Sequence, residues 1–141
     1  MKKYKIGYTT GVFDLFHIGH LNILERAKEQ CEYLIVGVST DELVMSYKGK
    51  TPVIPFAERK QIIEAIKYVD KVVAQEDRDK LGAFNKIGFD VMFVGDDWKN
   101  NDLFLEVEKE FNKKGVELVF FPYTKGTSST LINEVLNKII K

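Results

Sequence analysis

Short apolar runs alternate with amphipathic ones along the whole chain, and no other feature limits its fold as strongly. The apolar runs are Ile6–Thr9, Tyr33–Val38, Val69–Ala74, Phe89–Val94 and Val116–Pro122. Tyr33–Val38 is nearly continuous in apolar residues, as a strand covered on both faces requires. Between them lie runs with helical spacing. His17–Cys31 places Leu21, Leu24 and Ala27 on one face, and Phe56–Tyr68 does the same with Ile62, Ile63 and Ile66. Asp77–Gly88, Leu103–Lys114 (stopped by Gly115) and Ser128–Ile140 complete the helices. Glu42–Pro55 breaks the rhythm. Its Tyr47–Thr51 stretch is polar, Pro52 and Pro55 lie just beyond that stretch, and the segment reads as a loop. The pattern predicts an α/β fold, a parallel five-stranded sheet with helices on both faces. A length of 141 residues suits one domain spanning 1–141.

In such a sheet ligands bind beyond the carboxyl ends of the strands. The first of those ends is Tyr8-Thr9-Thr10-Gly11-Val12-Phe13-Asp14-Leu15-Phe16-His17-Ile18-Gly19-His20. Gly11 permits a tight turn and close approach of a ligand. His17 and His20 are three apart across a helix start, so both rings can face one side, and Gly19 keeps the surface between them open. The N–H groups of a first helical turn favour an anion. Two surface histidines with a turn glycine, or a metal site drawing on Asp14, His17 and His20, are the other readings. The second lacks the H-E-x-x-H spacing, and Cys31 falls at the far end of the helix. Further strand-end segments are Ser39-Thr40-Asp41, Gly95-Asp96-Asp97-Trp98 and Thr124–Thr130.

Composition narrows the partners. Lys+Arg and Asp+Glu are 21 each, so nothing draws the whole molecule to nucleic acid or to a membrane surface, and an anion site must be local. One Cys excludes an internal disulfide and suits the cytoplasm. No apolar run approaches the roughly 20 residues of a membrane span, and the basic start Met-Lys-Lys-Tyr-Lys lacks the apolar stretch of a signal peptide. G-x-x-x-x-G-K-[ST] and G-x-G-x-x-G are both absent, which disfavours P-loop kinases and dinucleotide oxidoreductases.

Gly11, Phe13, Asp14, His17, Gly19 and His20 spell G-x-F-D-x-x-H-x-G-H, which resembles the signature of the cytidylyltransferase branch of the H-x-G-H nucleotidyltransferase superfamily. The resemblance runs on in order through nearly the whole chain. Lys48 in Tyr47-Lys48-Gly49-Lys50 matches the catalytic lysine, with Lys50 as the second candidate. Phe56-Ala57-Glu58-Arg59 resembles the E-x-R segment, and Lys67-Tyr68-Val69-Asp70 resembles R-Y-V-D, with Lys67 replacing Arg. Thr124, Gly126, Ser128, Ser129 and Thr130 match R-T-x-G-I-S-[ST]-[ST], but Tyr123 stands in the place of Arg and Thr127 in that of Ile; Lys125 is the nearest cation. The chain is most similar to small bacterial glycerol-3-phosphate cytidylyltransferases.

That resemblance implies a Rossmann-like three-layer fold and the reaction of CTP with a phosphorylated small molecule to give a CDP-linked product and pyrophosphate. Thr9, Thr10, Gly11, Phe13, Asp14, Gly19, Gly95, Asp96, Tyr123, Thr124, Gly126, Ser128, Ser129 and Thr130 would bind the nucleotide. His17, His20 and Lys48 would carry catalysis, and Lys50, Arg59, Lys67, Asp97 and Trp98 would hold the acceptor. Mg²⁺ would arrive on the nucleotide phosphates, with Asp14 close by, rather than in a dedicated site. A homodimer in the cytoplasm, serving cell-surface polysaccharide precursor synthesis, completes the implied picture. Glycerol 3-phosphate is the first acceptor expected. Another polyol phosphate, an N-phosphorylated compound, adenylyl transfer from ATP, and a nucleotide sensor without turnover are the alternatives.

Overall fold

The structure, a computed structural model, describes residues 2–95, 102–122 and 135–136. Five parallel strands form one sheet: β1 (Tyr4–Gly11), β2 (Cys31–Ser39), β3 (Lys71–Gln75), β4 (Val91–Gly95) and β5 (Glu117–Phe121). Their order is β3-β2-β1-β4-β5. The chain leaves β1 first toward β2 and β3, then returns to lay β4 and β5 on the other side. The order therefore reverses at β1 and β4, and a crevice opens between their carboxyl ends. Register puts Gly11 opposite Val38 and Ser39 opposite Gln75, so these strand ends form one row.

Helices cover both faces, as expected. On one side α1 (Ile18–Gln30) and α3 (Phe56–Glu64) bury Leu24, Ala27 and Ile63 against Leu34, Val36 and Val38. On the other, α4 (Lys80–Ile87) and α5 (Asp102–Lys113) close over Tyr8, Ile35 and Met92, with Phe89 and Phe111 meeting edge to face at 5.7 Å. Burying each such side chain contributes roughly 1.5–3 kcal/mol.

One expectation fails between β2 and α3. Residues 41–48, read as irregular, form α2 (Asp41–Lys48). Thr40 caps it by accepting from Leu43 N at 3.2 Å, Asp41 and Glu42 occupy the first turn, and Gly49 ends it at φ 72°, where a side chain would be strained. Eight residues with only Leu43 and Val44 buried are too few to show a helical period. The next helix, α3, also stops early, at Glu64 rather than Tyr68, because Ile66–Val69 turn tightly into β3. The expected last helix, 128–140, lies outside the described residues save 135–136.

Candidate active site

The turn from β1 into α1 is held by its own histidines. His17 is the N-cap of α1, and its Nδ1 accepts from Gly19 N at 3.0 Å. His20, three residues on, accepts from His17 N through its own Nδ1 at 3.2 Å. The H-x-x-H spacing is thus a capping box in which two imidazoles replace the usual hydroxyl and carboxylate. The rings lie 4.0 Å apart and nearly parallel. Gly19 does not leave the open surface expected of it: it is buried, and its N–H completes the cap.

This geometry assigns the protons. A ring nitrogen that accepts a hydrogen bond carries no hydrogen, so in each neutral imidazole the hydrogen belongs on Nε2. Both rings are held neutral near pH 7. Burial lowers the pKa of His17; burial, then the neighbouring His17, takes His20 down to about 4 against the opposing pull of Asp14. Two neutral Nε2–H donors therefore stand side by side at a helix N-terminus, a place that already favours anions.

The approach to the cap is strained. Phe13 and Leu15 have φ of 57° and 50°, a left-handed conformation that costs roughly 1–2 kcal/mol per residue. Phe13 is buried and its ring meets His20 edge to face at 5.4 Å. A Cβ on Gly11 would come within 3.0 Å of that ring, so Gly11 makes room for Phe13 as well as for the turn.

Two buried polar side chains fasten the turn to its surroundings. The family resemblance places Arg59 at the acceptor. Instead its guanidinium is fully enclosed, donating to Ile54 O at 2.8 Å, Val12 O at 2.8 Å and Ser39 O at 2.7 Å, and pairing with Asp41 at 2.5 Å. It joins the turn, the end of β2, the start of α2 and the segment before α3, and presents no donor to a ligand. Asp14 accepts from Val53 N at 2.8 Å and Ile54 N at 2.9 Å, one bond to each oxygen, so it anchors that same segment. No group of three or more His, Cys, Asp or Glu among the described residues is placed to hold a metal ion.

A cleft of about 530 Å³ opens over the row of strand ends. Of the expected residues it gathers Thr9, Thr10, Gly11, Phe13, His20, Lys48 and Gly95. Thr9 also ties β1 to β4, its Oγ1 donating to Phe93 O at 3.0 Å. Lys48 ends α2, exposed, 5.9 Å from the Tyr47 ring. Lys50 is exposed just beyond and is not part of the cleft wall. Lys67 is a correction: it precedes β3, at the amino end of the strands, and so lies across the sheet from the cleft. Asp96, Asp97, Trp98, Tyr123, Thr124, Gly126, Ser128, Ser129 and Thr130 lie outside the described residues.

The cleft holds cations that sequence reasoning passes over. Arg78 stacks its guanidinium 4.8 Å from the Tyr47 ring, and Lys80 lies close by, its pKa lowered by burial and by Arg78. Both come after the carboxyl end of β3. The strand-end rule that singles out the other loops, applied to β3 as well, would find them.

A family model described as cytidylyltransferase-like matches residues 8–135. The glycerol-3-phosphate cytidylyltransferase of Bacillus subtilis is 39% identical over 127 residues, covering 89% of this chain and 92% of that protein. An FAD synthase of Thermococcus sibiricus is 32% identical, covering 99% of this chain and 96% of that protein. Among solved structures, the lipopolysaccharide core biosynthesis protein of Thermoplasma volcanium superposes with a TM-score of 0.71 at 26% identity, over 88% of this chain and 99% of that one.

Proposed function

Because this chain belongs to the cytidylyltransferase-like family, we propose that its cleft takes CTP, as the Mg²⁺ complex, together with a small phosphorylated acceptor, and joins CMP to the acceptor's phosphate. The enzyme is a CTP-dependent nucleotidyltransferase, and glycerol 3-phosphate, named in its Bacillus and Staphylococcus relatives, is its acceptor. The observation that carries the reading is the pair of neutral Nε2–H donors at the start of α1, at the point where the strand order reverses.

An acceptor phosphate oxygen attacks the α-phosphorus in line. The bond to the β-phosphate oxygen breaks, and pyrophosphate leaves with its electron pair. A phosphate monoester near pH 7 is largely a dianion, so the nucleophile needs no base. Positioning and charge stabilisation then supply the catalysis. His17 and His20 donate to oxygens of the α-phosphate and the departing pyrophosphate. As neutral donors their strength does not vary with pH near neutrality. Lys48 and Arg78 draw the acceptor phosphate toward the α-phosphorus. Mg²⁺ belongs to the nucleotide and offsets charge on its phosphates. The protein works as a homodimer in the cytoplasm and supplies a precursor of cell-surface polysaccharide.

Pyrophosphate release, measured with each of four nucleoside triphosphates and a panel of phosphorylated acceptors, tests this. Release with CTP and glycerol 3-phosphate is expected. Release with ATP alone would move the protein to the adenylyl chemistry of its FAD synthase relatives. CTP binding without release from any pair would make it a sensor.

A further inference from the structure

A second cavity adjoins the cleft. Thr10, Gln75 and Lys80 line both the main cleft and this cavity of about 340 Å³ between α4 and the sheet. Tyr8 and Val73 face it from the strands, and Ala83 from α4. Its chemistry is neither apolar nor of one sign. Thr10 and Tyr8 bring hydroxyls, and burial pushes the Tyr8 phenol up to about 12, so it stays protonated. Carboxylates and lysines, among them Asp77, Asp79 and Lys86, alternate in the rest of the lining with Ala74 and Ile87. An anionic or cationic tail would meet like charge somewhere in such a space, whereas neutral hydroxyls can donate to some groups and accept from others.

Gln75 points to the same class of ligand. Its Nε2 donates to Asp77 O at 3.1 Å, while its Oε1 is buried and accepts no hydrogen bond among the described residues. A buried amide oxygen without a donor is costly until a hydroxyl or water reaches it. The space holds on the order of ten water volumes, more than a three-carbon chain fills.

We propose that the enzyme accepts linear phosphorylated polyols longer than glycerol, the hydroxylated chain running from the cleft past Thr10 and Lys80 into the cavity under α4, where the Gln75 amide turns its enclosed Oε1 into the space to accept one of its hydroxyls. This rests on the CTP reading above. Ala83 faces the cavity and has no part in the nucleotide site, so Ala83→Leu narrows that cavity and leaves the chemistry alone.

The test is kcat/KM for CTP-dependent pyrophosphate release with glycerol 3-phosphate and with a five-carbon alditol phosphate, in the wild type, Ala83→Leu and Gln75→Leu. The wild type should use both acceptors. Each variant should lose about tenfold on the five-carbon acceptor, while Ala83→Leu stays within about twofold on glycerol 3-phosphate, which also shows that it folds. Failure of the wild type to use the longer acceptor, or equal losses on both acceptors, overturns the proposal and leaves the CTP reading standing. No release with CTP and any polyol phosphate overturns the CTP reading, and this one with it.

Discussion

His17 and His20 each use Nδ1 to start a helix, which leaves Nε2 out of the cap and, in the proposed reaction, for the phosphates. Replacing either by Ala should lower kcat by about 10²–10³, the usual effect of removing one oxyanion donor, with a smaller change in CTP affinity. Single-turnover rates beside CTP titrations would check that split, and equal losses in both would count against a transition-state role. The His20 pKa makes a second prediction. Its folded value, about 4, lies below the unfolded value near 6.5, so between those limits the unfolded chain binds more protons. Stability should be level above about pH 6.5 and fall by up to about 3 kcal/mol as pH drops toward 4. Urea melts of wild type and His20→Gln across that range should diverge accordingly. Arg59 matters for a different reason. Removing its enclosed guanidinium takes the donor from three carbonyls and breaks the pair with Asp41, so Arg59→Met should cost roughly 3–5 kcal/mol in chemical denaturation. A cost below about 1 kcal/mol would show that the clamp is dispensable. The sequence displays the histidines plainly but not their capping role, since His is not among the residues that usually cap. It does not tell which way Arg59 points, because an Arg at the start of a helix looks the same facing in or out.

At the level of elements, the strands and the long helices are legible because each repeats its period often enough to be recognised. α2 is not. Its boundaries come from a threonine cap and a glycine stop, and between them only Leu43 and Val44 face inward. Yet α2 delivers Lys48 and Tyr47 to the cleft, so its stability bears on the chemistry. Thr40→Ala should cost about 1 kcal/mol. Amide exchange over 41–48 should speed up before the rest of the protein loosens; uniform acceleration would mean that α2 unfolds only with the whole. α4 carries the complementary wall, and Asp79 starts it by accepting from Gly82 N at 2.9 Å. Two short capped helices, one after β2 and one after β3, therefore bound the cleft.

For the molecule as a whole, alternation foretells the parallel sheet but not the order of its strands. That order, β3-β2-β1-β4-β5, is set by which connections pack over which face, and no single segment records it. It decides that the first and fourth strands part at their carboxyl ends and that the cleft lies there. A ligand bound only by the folded form should stabilise the molecule. CTP at a hundredfold excess over its Kd should add about 2.7 kcal/mol, a rise of several degrees in Tm. ATP giving an equal rise at the same concentration would count against a preference for CTP. The histidine cap has one more consequence, for inheritance. In most enzymes a mutation can silence the reacting groups and spare the scaffold, leaving an inert but well-folded descendant. Here the two groups proposed to meet the phosphates also begin the first helix, so a lineage that discarded that chemistry would have to reinvent the start of α1 in the same step.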